Sequence, residues 1–272
     1  MAPSDGSGHA GKGKPRWVIE KEKARRAAAS DTVWLFGLHA VRDALVNPAR
    51  EKLRLIVTKN AADKLASAIS IAGLTPELAD PRRFSAPLDP NSVHQGAALE
   101  VRPLDWGGLQ EVCAGQAGSR PVIVLLDRVT DPHNVGAILR SAEVFGARAV
   151  IAPRHHAAPE TGALAKSASG ALERQPYLRV PNLARAIEDV QRMGFVVLGL
   201  DGEAEETLDD AARLAEGRPV ALVFGAEGPG LRPKTRDTCD KMVRIPVAGD
   251  FGSLNVSNAA AVALYAVGQH KG

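Results

Sequence analysis

The sequence predicts an α/β fold in which a C-terminal domain with a mainly parallel sheet follows a smaller α/β domain. Three observations support this prediction. The apolar runs at 121–127, 195–201 and 220–225 are continuous, as expected for strands buried on both faces of a parallel sheet. Helical patterns alternate with these runs, which is typical of repeated βα units. A turn-rich stretch at 104–118 separates the two parts and is predicted to be a linker.

The smaller domain is predicted to span residues 32–103. Segment 38–47 places apolar residues at helical spacing, and segment 53–59 alternates in the manner of a strand. Segment 62–73 is predicted to be a helix that ends at Gly73, because glycine readily adopts the left-handed conformation that terminates helices.

The C-terminal domain is predicted to span residues 119–272. Its strands are the three apolar runs and 147–153, and its helices are 134–146, 160–172, 182–194 and a closing segment that starts near Ser253. In such a sheet, ligands bind beyond the carboxyl ends of the strands.

The composition is that of an ordinary globular protein. The chain has 272 residues, of which 45% are hydrophobic and 24% charged, and a formal net charge of +3, which permits an RNA partner without demanding one. Cys113 and Cys239 lack ligand spacing, so we expect reduced thiols and neither a disulfide nor a zinc site. No apolar run reaches about 18 residues, and no secretion signal is recognisable. A cytoplasmic protein is therefore expected.

Residues 1–31 form a separate compositional zone with seven Lys or Arg residues and four acidic residues. Two interpretations stay open. The segment is a disordered, solvated tail, or it is a basic arm that contacts RNA phosphates without specifying sequence.

Three polar loops follow strands of the C-terminal domain. The first, 127–147, contains Asn134 and Arg140; Asn134 alone is consistent with a helix N-cap. The second, 224–233, contains Glu227 and several glycines, but it matches neither the dinucleotide fingerprint nor a Walker A sequence.

The third polar loop, 244–267, brings several small polar residues to the start of the closing helix. They are Ser253, Asn255, Ser257 and Asn258. One N-cap needs fewer polar side chains than this. Each loop by itself is weak evidence for a functional site.

Taken together, the three loops resemble the signature motifs of the SpoU family (TrmH/RlmB type) of RNA ribose 2′-O-methyltransferases, in the SPOUT superfamily. The matching segments, in the family's order, are NVGAILRSAEVFGA, LVFGAEGPGL and IPVAGDFGSLNVSNAAAVALY. The preceding domain resembles the ribosomal-protein-like RNA-binding domain of many members.

The resemblance implies a deep trefoil knot in the C-terminal domain and S-adenosyl-methionine as the cofactor, with no metal. Positions carried over by motif place cofactor contacts at Gly225, Ile245 and Leu254, and the strand end Leu200–Gly202 is expected to border the same pocket. The absence of a side chain at Gly225 would permit close approach of the backbone to the cofactor.

The implied reaction is attack of a ribose 2′-oxygen on the cofactor's methyl group. The functional positions of the family correspond to Asn134, Arg140, Glu227, Ser253 and Asn255. Arginine normally stays protonated, so two roles stay open for Arg140: general base, or a charge that stabilises the developing alkoxide or holds a phosphate.

The resemblance further implies a homodimer and a structured RNA substrate. A guanosine of 23S ribosomal RNA is favoured; the alternatives are a transfer-RNA guanosine and a catalytically silent RNA-binding homologue. Asp250 and Phe251 make the third motif bulkier and more acidic than in relatives, which bears on the RNA that can approach. A doubly wound oxidoreductase is disfavoured because no glycine fingerprint follows the strand at 121–127.

Overall fold

A four-stranded sheet with two helices forms the N-terminal part of the structure. The computed structural model describes residues 32–115, 119–215, 217–249 and 254–269, so the segment 1–31 and its two interpretations lie outside it. The elements are β1 (Val33–Phe36), α1 (Leu38–Val46), β2 (Lys52–Val57), α2 (Lys59–Ala72), β3 (Glu77–Leu78) and β4 (Ala97–Val101). The strand order is β1-β4-β2-β3. Helix α2 is capped by Thr58, whose side chain accepts a hydrogen bond from the amide of Ala61, and it ends at Gly73 with φ +63°, as predicted.

A seven-stranded sheet forms the remainder. The elements are α3 (Leu109–Cys113), β5 (Val122–Asp127), α4 (Pro132–Val144), β6 (Ala149–Pro153), α5 (Gly162–Ala168), a 3₁₀ turn (Ala171–Glu173), β7 (Tyr177–Val180), α6 (Leu183–Arg192), β8 (Val196–Leu200), β9 (Glu206–Thr207), α7 (Leu208–Leu214), β10 (Val220–Gly225), α8 (Pro233–Thr238), β11 (Lys241–Arg244) and α9 (Val256–Gln269). The strand order is β7-β6-β5-β10-β8-β11-β9. Every strand pair in this sheet is parallel, which confirms the predicted sheet type.

The central strands are apolar because both faces of the sheet are covered by helices. All residues of β5 are buried, and in β10 only the terminal glycine is partly exposed. Because the strands run parallel, their carboxyl ends meet at one edge of the sheet, where the predicted ligand loops lie.

The helix predicted at 160–172 is shorter than expected. Thr161 caps it and Ser169 ends it in the left-handed conformation, with φ +51°. Gly170 continues with φ +89°, and residues 171–173 then form the 3₁₀ turn. The continuous helical pattern concealed this break, because serine carries a weaker stop signal than glycine.

From Val33 onward the chain forms one unit. Helix α5 packs against α4 on one side and against β1 and α1 of the smaller sheet on the other. Among the residues described, no helix has the length and apolar character needed to cross a membrane.

Candidate active site

A cavity of about 630 Å³ opens at the carboxyl ends of β8, β10 and β11. The four residues predicted to contact a cofactor all line this cavity: Leu200, Gly225, Ile245 and Leu254. Leu200 and Gly225 are the last residues of their strands, and Ile245 directly follows β11. The parallel strands therefore bring together Leu200, Gly225 and Ile245, and the segment before α9 adds Leu254.

The loop after β10 folds back tightly on the strand end. The amide of Gly230 donates a hydrogen bond to the carbonyl of Ala226, 2.9 Å away. A Cβ placed on Gly225 would lie 2.1 Å from the carbonyl carbon of Gly230 and 2.4 Å from the amide nitrogen of Leu231. The protein's own loop therefore requires glycine here, because any side chain would collide with it.

Three of the predicted catalytic residues are joined by hydrogen bonds, and we call them the amide–carboxylate group: Asn134, Glu227 and Asn255. The side-chain amide of Asn255 donates to Oε1 of Glu227 at 2.6 Å and to Oδ1 of Asn134 at 3.0 Å. The side-chain amide of Asn134 donates to the same Glu227 oxygen at 3.1 Å. Glu227 and Asn255 line the cavity and are solvent-exposed. The three polar loops therefore converge on one oxygen atom.

The two asparagines of this group lie at the starts of helices. Asn134 lies in the first turn of α4, whose cap is Asp131: its carboxylate accepts from the amide of His133, so Asn134 is not the N-cap. Asn255 precedes α9, and its Oδ1 accepts from the amide of Ser257 at 2.9 Å. One asparagine therefore uses its oxygen to cap a helix and its amide to bind Glu227.

The remaining two predicted catalytic residues are Arg140 and Ser253. Arg140 is exposed on α4 and forms no hydrogen bond or ion pair with the residues that the structure describes. On a regular helix, six residues separate it from Asn134 by about 9 Å along the axis and about 120° around it. Ser253 lies outside the described residues, as do Asp250 and Phe251.

Two ion pairs beside the cavity were not anticipated from the sequence. Asp127, fully buried at the end of β5, accepts hydrogen bonds from the amide and the Nε of Arg232 at 3.0 and 2.7 Å. Nη1 of Arg236 lies 2.9 Å from a carboxylate oxygen of Asp201, and both residues line the cavity. The signal for Asp127 was available: an aspartate that ends an apolar strand points to a buried partner.

Comparison with known proteins establishes the family. Residues 121–265 match the model of the SpoU rRNA Methylase family, and residues 34–106 match a model described as RNA 2′-O ribose methyltransferase substrate binding. The chain belongs to the SpoU family. This confirms the resemblance drawn from the three motifs.

The SpoU relatives extend over most of the chain. This chain is 41% identical over 236 residues to the 23S rRNA (guanosine-2′-O-)-methyltransferase RlmB of Ralstonia nicotianae. The match covers 85% of this chain and 93% of the relative. The crystal structure of the SpoU methyltransferase AviRb from Streptomyces viridochromogenes, in complex with the cofactor AdoMet, superposes with a TM-score of 0.73 at 24% identity, covering 90% of this chain and 92% of that one. An AdoMet-bound rRNA methyltransferase from Sinorhizobium meliloti has a TM-score of 0.75 at 21% identity, with 94% and 95% covered. At these identities the structures support the α/β fold.

Proposed function

We propose that this protein transfers a methyl group from S-adenosyl-methionine to the ribose 2′-hydroxyl of a guanosine in 23S ribosomal RNA. The observation that carries the proposal is the amide–carboxylate group at the edge of a cavity lined by all four expected cofactor residues. The RNA target follows from the relatives named RlmB, which match most of the chain.

The cavity suits S-adenosyl-methionine in size and chemistry. Small-molecule sites typically enclose roughly 300–1,000 Å³ with apolar walls and few polar groups. Leu200, Ile245 and Leu254 offer apolar walls, and the loop after Gly225 offers backbone groups. When bound, the cofactor supplies an electrophilic methyl group on a sulfonium sulfur.

The chain's own task is to place and activate the ribose oxygen. The amide–carboxylate group lies at the cavity's edge and is open to solvent, so it can receive a ribose beside the cofactor site. Glu227 is held by two side-chain amides and also lies 3.4 Å from the amide of Val256. Such pre-positioned polar groups lower a barrier without reorganising during the reaction.

Arg140 supplies positive charge in this proposal. Because a guanidinium stays protonated, we assign it to stabilising the developing alkoxide or holding an RNA phosphate, rather than to accepting a proton. The exposed position of Arg140 on α4 supports a contact with an incoming RNA. Ser253, which precedes Leu254 in the sequence, keeps its proposed role in positioning ribose or cofactor.

The proposal assigns substrate binding to residues 32–103 and methyl transfer to 119–272, joined through 104–118. The match of residues 34–106 to a substrate-binding model supports this division. We propose the trefoil knot for the same domain. Strand β8 lies between β10 and β11 in the sheet, but the chain after β11 crosses back, and Asn255 and the amide of Val256 donate hydrogen bonds to Glu227 in the loop after β10. This return of the chain supports a knot.

A homodimer through α4 and α9 completes the proposal. These helices pack together and leave large apolar side chains in solvent: Val144 is 71% exposed, Tyr265 57% and Val262 44%. The rings of Phe145 and Tyr265 meet edge to face with centroids 6.1 Å apart. An apolar patch of this kind is typical of an interface between subunits.

The test is transfer of labelled methyl from S-adenosyl-methionine to unmodified 23S rRNA transcribed in vitro, with transfer RNA transcripts as the parallel substrate. We expect incorporation into the ribosomal RNA at one guanosine, located by primer extension at low nucleotide concentration. Incorporation only into transfer RNA would show that the substrate is transfer RNA and not 23S ribosomal RNA. No incorporation into either RNA would contradict the enzymatic function.

A further inference from the structure

A buried arginine links the two sheets of the protein. Arg50 lies two residues before the start of β2, and only 2% of it is exposed. Its Nε and Nη2 donate to the two carboxylate oxygens of Glu173 at 3.0 and 2.7 Å, in the two-pronged geometry that fixes orientation most strongly. Its Nη1 donates to Glu160 at 2.7 Å and to the carbonyl of Arg102 at 2.8 Å. We call Arg50, Glu160 and Glu173 the buried ion cluster.

The larger and the smaller part of the protein pack closely against each other around the buried ion cluster. The side-chain amide of Asn47 donates to Oε2 of Glu173 at 2.9 Å. A Cβ on Gly170 would lie 1.8 Å from a carboxylate oxygen of Asp43, and one on Gly162 would lie 2.3 Å from the ring of Phe36. Backbone of the larger part therefore approaches side chains of the smaller part without room for a methyl group. Such complementarity specifies one relative orientation.

The interface between the two parts is connected to the amide–carboxylate group through helix α5. Helix α5, which carries Gly162 at its start, packs against α4 so closely that a Cβ on Gly136 would lie 2.5 Å from the Cβ of Ser167. The hydroxyl of Ser167 donates to the carbonyl of His133 at 2.9 Å. His133 is the neighbour of Asn134. One short helix thus separates the smaller sheet from the first residue of the site.

We propose that Arg50 is a positioning residue for methyl transfer. By holding Glu173 and Glu160, it fixes residues 32–103 relative to the cavity, so that RNA held by this part presents its ribose to the amide–carboxylate group. The inference rests on the proposed function. Replacing a buried ion pair by apolar groups is often neutral for stability, whereas the bidentate contact of Arg50 with Glu173 and the close packing at Gly170 fit only one orientation of the two parts.

The test uses the full chain with Arg50→Met, which removes the charge at similar length, and Glu173→Gln, which keeps the size. The RNA is the 23S rRNA transcript. Because Arg50 is buried and does not line the cavity, we expect RNA affinity in filter binding and S-adenosyl-homocysteine affinity in calorimetry to stay within threefold. The single-turnover rate at saturating RNA should fall at least tenfold. Arg50→Lys, which keeps the charge, should restore part of the rate.

Arg213→Met is the matched control, because it removes an arginine from an exposed ion pair with Asp210 on α7. It should leave the rate unchanged. A wild-type rate in Arg50→Met, or a rate loss accompanied by an equal loss of RNA affinity, would overturn the inference. Removing one partner of a buried ion pair leaves the other charge unpaired and destabilises the fold, so rates are compared at a temperature where circular dichroism shows each variant folded. The triple variant Arg50→Met/Glu160→Gln/Glu173→Gln leaves no unpaired charge and should show the same loss of rate. A wild-type rate in the folded triple variant would overturn the inference. Inactive wild-type protein would instead count against the proposed function.

Discussion

The side-chain amide of Asn255 donates a 2.6 Å hydrogen bond to Oε1 of Glu227, across 28 residues of sequence. This contact ties the start of the last helix to the loop after β10. Asn134 donates to the same oxygen, 3.1 Å away, from a third part of the chain. A carboxylate oxygen with two amide donors has a fixed position, and it fixes both donors in turn.

Removing the Glu227 carboxylate should slow methyl transfer. In Glu227→Ala, the amides of Asn134 and Asn255 lose their shared acceptor. Hydrogen bonds to charged groups contribute about 1.5–3 kcal/mol, so we expect the single-turnover rate to fall about 10- to 100-fold. Labelled-methyl transfer measures the rate. Glu188→Ala, an exposed glutamate on α6, is the control; an unchanged rate in Glu227→Ala would remove this carboxylate from the chemistry.

Arg140→Ala should abolish methylation and leave cofactor affinity within a few-fold. The loss of a pre-positioned charge at a developing oxyanion costs about 100-fold or more in turnover, whereas Arg140 does not line the cavity. Calorimetry with S-adenosyl-homocysteine and transfer assays separate the two quantities. Arg140→Lys keeps the charge and should retain part of the rate. Full turnover of the alanine variant would show that Arg140 has no catalytic role.

Much of the fold could be predicted because local sequence patterns, such as continuous apolar runs, specify its strands. The run at 220–225 is observed as β10 with the same bounds, since a strand buried on both faces leaves an unbroken apolar signature. The convergence of Leu200, Gly225 and Ile245 follows from parallel strands sharing one carboxyl edge.

Other features depend on contacts between distant segments. The ion pair of Arg50 and Glu173 spans 123 residues, and neither segment signals its partner. The collision that requires Gly225 arises from loop residues that fold back on it, so the motif indicated the position but not this steric reason.

Gly225→Ala should destabilise the protein and weaken cofactor binding. The added methyl group would collide with the backbone of Gly230 and Leu231, which cannot move aside as a flexible side chain would. Overpacking of this kind costs about 1–3 kcal/mol, which lowers Tm by about 2–4 °C per kcal/mol in a protein of this size. Gly108→Ala is the control, since a Cβ there meets nothing within 4 Å. Equal Tm values for the two variants in calorimetric scans would contradict the steric argument.

Charge placed on the α4–α9 surface should separate the proposed dimer. In Val144→Asp and Tyr265→Asp, a carboxylate would have to be desolvated at the interface, which an unpaired charge strongly resists. We expect a monomer in sedimentation velocity at concentrations where the wild type is a dimer. Ile71→Asp adds the same charge at a 66% exposed apolar residue of α2 and should leave the mass unchanged. Dissociation by Ile71→Asp alone would place the interface on the smaller sheet's side.

Glu160→Gln should change the pH dependence of stability in a defined direction. Burial raises the pKa of Glu160 above its ordinary value of 4.5, despite the neighbouring Arg50. The folded state therefore binds this proton more tightly than the unfolded state. The contribution is fully present below the ordinary pKa and is lost as the pH rises through the folded value. Glutamine does not titrate, so the wild type should lose stability relative to Glu160→Gln as the pH rises from about 4.5 to 7.

Urea unfolding at a series of pH values measures this difference, and Glu77→Gln supplies a control of opposite sign. The hydrogen bond from Arg54 lowers the pKa of Glu77. For that pair the stabilising contribution is present above the ordinary pKa of 4.5 and is lost on acidification, so the stability of the wild type relative to Glu77→Gln should rise as the pH rises toward 4.5. Slopes of the same sign in both comparisons would mean that the attraction to Arg50 outweighs burial at Glu160 and lowers its pKa instead.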